Sequence, residues 1–179
     1  MKTPLMGCTP RSWLASIGFS SPKIDEILAS YSKTSLPTVY TYSAPNVFLR
    51  FHGSFAKTKI YDPNYWVDSS AMVSALDRAS QFENYLSDPE IRRIAKNYYR
   101  EITAICNNWN DLNSNTLWKI ELRGAELVEG LEGQIAQQPT HAATKTESAS
   151  TSILRGGAIQ VFLHPKTPFI CTPIDWDNN

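Results

Sequence analysis

From Asp88 onward, apolar residues return every three or four positions, at Ile91, Ile94, Tyr98, Ile102, Ile105 and Trp109. That spacing predicts a long amphipathic helix, capped by Asp88 with Pro89 at its first position. Arg92, Arg93, Lys96, Arg100 and Glu101 fall on the other side and read as a solvated face. A helix over 69–86 is expected just before it. Near the start, Ser21 reads as a cap and Pro22 as the first helical residue. Ile24, Ile27, Leu28 and Tyr31 then share one face.

Elsewhere the period shortens. "SLPTVYTYSAPNVFLRFHG" is β-branched and aromatic, and it predicts strands at 38–43 and 46–52. Residues 53–68 show no period and read as a loop. "TLWKIEL" (116–122), 157–163 and 168–172 read as strands, and "GAELVEGLEGQIAQQP" as short β-prone pieces between glycines. Residues 139–152 are small and polar and predict a mobile loop. The order of helix, strands, helices and strands is that of an α+β protein.

The chain has 179 residues, enough for one domain. We expect a helical lead-in over 1–37 and a core over 38–173. Seventeen basic residues balance seventeen acidic ones. Such a chain has no bulk attraction for nucleic acid or an anionic membrane. Cys8, Cys106 and Cys171 have neither metal-site nor disulfide-framework spacing, so free or buried thiols are expected. Cys106, beside Ile105 on the apolar helix face, reads as core. His52, His141 and His164 also lack ligand spacing, and no metal is expected. No stretch is apolar enough to cross a bilayer, and "MKTPLMGCTPRSWLASIGF" has no continuous apolar run of a secretory leader. The expected place of action is the cytoplasm, reached, if the protein is secreted, by a specialised delivery system.

Two strand residues are out of character. Arg50 interrupts "VFLRFHG" and Gln160 interrupts "GGAIQVFL". Burying either side chain unpartnered is costly. Arg50 either lies on a wet face by simple alternation or reaches a cleft, where its planar fork suits phosphate oxygens. Gln160 either bonds water at a sheet edge or faces the same cleft. Tyr65 and Trp66, at the end of the glycine-containing stretch, either fill core or wall a pocket for a flat ring.

"VFLRFHG", "NYWVDSS", "LVEGLEGQIAQQP" and "GGAIQVFL", in that order over about residues 45–163, resemble the spaced motifs of polymorphic bacterial toxin domains with the ADP-ribosyltransferase-like fold. The likeness is to their NAD-glycohydrolase branch, typified by tuberculosis necrotizing toxin. It implies a split antiparallel β-sheet core flanked by N-terminal and middle helices. It also implies a toxin or effector that hydrolyses NAD+ or NADP+ to nicotinamide and ADP-ribose, with a cognate immunity protein as partner and no permanently bound cofactor. Arg50 and Gln160 match its catalytic positions. His52, Gly53, Tyr65, Trp66, Ser69 and Gly157 match substrate-binding positions, and Glu129 or Glu132 would supply auxiliary charge. Departures exist. Ala158 follows Gly156–Gly157 where the family usually has a third small residue, often glycine, and Val67–Asp68 separate the aromatic pair from Ser69. The acidic pair of the transferase branches is missing, since Phe162 stands two residues after Gln160. The resemblance therefore implies hydrolysis ahead of mono-ADP-ribosylation of a protein or nucleic acid. An inactive module that only binds a partner is the third alternative.

Overall fold

A computed structural model describes residues 1–43, 46–52, 65–107, 112, 116–122, 127–167 and 169–176. The fold is α+β. The first elements are β1 (Lys2–Pro4), α1 (Pro10–Ser16), α2 (Ser21–Ala29), β2 (Thr38–Tyr42), β3 (Val47–His52) and β4 (Tyr65–Asp68). Two helices follow, α3 (Ser70–Ser80) and α4 (Asp88–Thr103). Strands complete the chain: β5 (Thr116–Leu122), β6 (Val128–Gln134), β7 (Gln138–Pro139), β8 (Ile153–Leu154), β9 (Ile159–Leu163) and β10 (Phe169–Ile174).

Eight strands form one sheet in the order β1-β2-β6-β9-β4-β3-β5-β10, and β7 and β8 form a separate ribbon. Neighbours in the large sheet run antiparallel throughout. The sheet is narrowest in its pairing at β4. β4 joins β9 through three residue pairs but joins β3 through only two, Phe48↔Asp68 and Leu49↔Val67. The ladder stops at Leu49, so β3 and β4 part where Arg50 begins.

Side-chain alternation sends the strands' apolar residues to both faces. On one face, Phe162, Leu131 and Val39 pack under α1 and α2 with Trp13, Ile24 and Ile27. Further along that face, Leu49, Phe51 and Leu117 pack under α3 and α4 with Met72, Ala75 and Tyr99. On the opposite face, Tyr42 of β2 meets Phe48 of β3 with ring centroids 5.5 Å apart, although three strands lie between theirs in the sheet. The sheet therefore coils over itself, and Trp66, Ile120, Val161 and Leu163 fill the interior of that coil.

Several expectations shift on inspection. The caps are Ser20 and Ser87, each one residue earlier than Ser21 and Asp88. Proline fits anywhere in a first turn whose N–H groups lack helical partners, so it does not fix the cap to a single position. The helix expected over 69–86 ends at Ser80. The long helix ends at Thr103, with Ala104 left-handed (φ 48°). A continuing helix would bond the carbonyls of Glu101 and Ile102 to residues 105 and 106. Instead they accept from Gly156 N and Ala158 N, both at 3.0 Å. Trp109 lies outside the described residues. The face of α4 expected to be solvated is only partly so. Lys96 is buried, and Arg92 donates to the Trp176 carbonyl at 2.7 Å.

Residues 65–68, expected as loop, are the strand β4. Its four residues are too short to show a period, and 53–64 lie outside the described residues. The polar stretch 139–152 is tied at its ends. Thr140 N bonds Ser152 O at 2.9 Å and Ser150 N bonds His141 O at 3.0 Å, beside the β7–β8 ribbon. The lead-in holds a strand, β1, besides its helices. Cys106 is buried as expected, donating to the Pro139 carbonyl at 3.0 Å, and all three cysteines are free thiols. No described helix is long and apolar enough to cross a membrane, and no cluster of metal-ligating groups occurs among the described residues.

Candidate functional site

Where β3 and β4 part, a cavity of about 580 Å³ opens between the two helix pairs. Its sheet wall is Arg50 and Phe51 of β3, Tyr65, Trp66 and Val67 of β4, and Gln160 of β9. One side wall is the end of α2, with Glu26, Ala29 and Ser30. The other is the end of α4, with Tyr99, Thr103, Ala104 and Ile105. Ile135 and Gln138, just past β6, complete it. The volume falls in the range of roughly 300–1,000 Å³ common to small-molecule sites.

Gln160 lies on a central strand, 7% exposed, with β6 on one side and β4 on the other. Its amide is satisfied locally. Nε2 donates to Ser30 Oγ at 2.7 Å and to the Ser30 carbonyl at 3.3 Å. Ser30 is the C-cap of α2, where carbonyls lack helical partners. Its hydroxyl in turn donates to Ile27 O at 2.7 Å. The glutamine thus ties the end of α2 to the middle of the sheet.

Tyr65 shares that corner. Its ring meets Phe162 edge-on at 4.9 Å. Burial pushes its phenol up to about 12, a hydrogen bond with Ser30 opposes the shift, and the negative charge of Glu26 adds to it. Trp66 belongs to the coil interior, 1% exposed and edge-on to Phe169 at 5.8 Å. It serves as wall rather than as an open platform.

Alternation sends Arg50 to the side of Phe48 and Trp66, away from Gln160. The parting of β3 and β4 brings it to the cavity nonetheless. Its guanidinium carbon lies 6.0 Å from the Trp66 ring centroid. On the far side its charge draws down the Tyr99 phenol, which burial raises. Arg50 therefore acts on residues of both faces through the gap.

The remaining sequence candidates lie elsewhere. Glu129 accepts from Trp13 Nε1 at 2.7 Å, and Glu132 is held by Lys2 and by the Tyr42 hydroxyl at 3.0 Å. Neither is among the residues that line the cavity. β6 turns Glu129 toward α1 and Glu132 toward β1 and β2. Ser69 is the N-cap of α3 and Gly157 lies outside the lining. Gly157 has φ 93° and open space where a Cβ would be, whereas a Cβ on Gly156 would sit 2.6 Å from the Ile135 carbonyl. Gly53 and the side chain of His52 lie outside the described residues.

Glu26, Ser30, Tyr99 and Gln138 line the cavity without having stood out in the sequence. Glu26 and Ser30 are one turn apart and so share a helix face, the only available signal. Among the described lining residues, Glu26 is the only acid and Arg50 the only base. No family model matches the chain, and neither a curated protein nor a solved structure matches it.

Proposed function

We propose that the chain is an NAD(P)+ glycohydrolase with an ADP-ribosyltransferase-like core, acting as a bacterial toxin or effector. The observation that carries this reading is the convergence of Arg50, Tyr65, Trp66 and Gln160, from three strands, on one cavity. The chemistry asks for what that cavity supplies. The C1′–N bond to nicotinamide breaks with its electron pair going to the ring nitrogen, so nicotinamide leaves neutral without a general acid. Water adds to C1′ of the oxocarbenium-like ribose and gives up a proton, leaving ADP-ribose.

In this reading Arg50 holds the pyrophosphate through charge-assisted bonds. Tyr65 borders the nicotinamide, with Trp66 behind it. Gln160, locked by Ser30, fixes the ribose in one orientation. The short pairing at β4, beside which the cavity lies, supports the finer fold assignment.

Incubating the purified chain with NAD+ tests the proposal. The expected result is equimolar release of nicotinamide and ADP-ribose with no labelled macromolecule. Label transferred to a protein or nucleic acid would replace hydrolysis by transfer. No turnover of NAD+ or NADP+ would reduce the chain to a binding module.

A further inference from the structure

The cavity is electrically polarised. Among the described lining residues the one acid, Glu26, stands on α2, and the one base, Arg50, stands on β3. Two strands, β9 and β4, separate β3 from β6, on which α2 is seated through Ile24, Ile27 and Leu131. Gln160 and Tyr65, on those intervening strands, lie between the two charges. Glu26 is one helical turn from Ser30, the residue that anchors Gln160, and its charge is felt at the Tyr65 phenol. Lys23 pairs with Glu26 at 2.7 Å, with both side chains well exposed. Such a surface pair is weak, so it does not commit the carboxylate to Lys23 when a cationic ligand enters the cavity.

From this polarity we infer that Glu26 is a specificity-determining residue that selects the oxidised, cationic pyridinium ring over its neutral reduced form. The inference rests on the proposed NAD(P)+ site and deepens it. Arg50 fixes the anionic middle of the dinucleotide, which leaves one end to extend past Gln160 and Tyr65 toward α2. A ring carrying positive charge gains there from the carboxylate, and a dihydropyridine does not. Adenine is neutral and gains nothing, so the same contact also sets which end of the dinucleotide enters the α2 side.

Equilibrium binding of three probes tests this in the full chain. A carbocyclic NAD+ analogue keeps the cationic ring but is not turned over, NADH has the neutral ring, and ADP-ribose has none. The native chain binds the carbocyclic analogue roughly fivefold tighter than NADH, the scale of a partly exposed charge contact. In Glu26→Gln, whose thermal melt matches the native one, that ratio falls to about one while the ADP-ribose affinity is unchanged. A ratio unchanged in Glu26→Gln overturns the inference and leaves the dinucleotide site standing. Equal weakening of all three probes also overturns it, because Glu26 would then hold the site's shape. Failure of the native chain to bind any of the three overturns the site and the inference together.

Discussion

The amide of Gln160 and the hydroxyl of Ser30 meet at 2.7 Å across 130 residues of sequence. This contact joins the end of the second helix to a central strand and orients the side chain proposed to hold the ribose. Gln160→Ala removes both the tie and the ribose contact. Misplacing the reacting centre then lowers nicotinamide release by about 10²-fold. Ser30→Ala leaves the glutamine only the 3.3 Å bond to the Ser30 carbonyl. It costs about 1 kcal/mol of stability and a smaller part of the turnover. Nicotinamide release measured beside a denaturant melt separates the two. Equal turnover in Gln160→Ala and the native chain would remove the glutamine from the site.

Arg50 lines the cavity just beyond the last described β3–β4 pair, Leu49–Val67. As the sole base among the described lining residues, it is the natural partner for pyrophosphate. Arg50→Ala raises the KM for NAD+ by about tenfold or more, the scale of a hydrogen bond to a charged group. Arg50→Lys keeps the charge but not the planar fork and recovers part of that loss. Steady-state kinetics on the two variants provide the check, and a native KM in Arg50→Ala would exclude the residue from phosphate binding.

Much of the architecture was legible because it depends on local periodicity. The strands at β2, β3, β5 and β9, and the start of the helix at residue 88, follow their hydrophobic spacing within a residue or two. Arg50 and Gln160 were visible as polar residues interrupting apolar strands. Contacts distant in sequence were not visible. Nothing near Glu26 or Ser30 signals that α2 ends against β9. Nothing near Glu129 or Glu132 signals that Trp13, Lys2 and Tyr42 hold them elsewhere. The end of α4 was missed for the same reason, since the groups that replace its last bonds come from residues 156–158.

That junction separates the two glycines of "GGAIQVFL". Gly156 has φ 68°, and an added Cβ would lie 2.6 Å and 2.8 Å from the Ile135 and Ala136 carbonyl oxygens. Gly157 has φ 93° but empty space around the same position. Gly157→Ala therefore carries backbone strain alone, about 1–2 kcal/mol. Gly156→Ala adds a collision with backbone that cannot swing aside and costs about 3 kcal/mol. It also loosens the capping of α4 by Gly156 N and Ala158 N. Urea midpoints give the ranking, and hydrogen exchange at the end of α4 should rise in Gly156→Ala alone. Equal costs would mean that the junction is not held as described.

Alkaline pH should unfold the chain through its buried phenols. Burial is the largest cause raising the values of Tyr31, Tyr42, Tyr65 and Tyr99, and the Glu132 carboxylate raises Tyr42 further. In the unfolded chain these groups ionise near the ordinary value of about 10. The fold therefore favours their neutral forms, and this contribution is whole below that pH. It declines as pH rises through the folded values, over a window from about 10 to about 12 for Tyr65. The other three sit deeper, so their ionisation requires the fold to open. Ultraviolet absorbance of phenolate followed beside near-ultraviolet circular dichroism should show a gradual early rise from the exposed tyrosines. A second step should then coincide with loss of the dichroism signal. Phenylalanine at Tyr42 or Tyr99 removes one titrating group and should move that step to higher pH. Complete phenolate formation while the dichroism signal persists would show that these rings are open to water and that the tyrosine-lined interior is less closed than described.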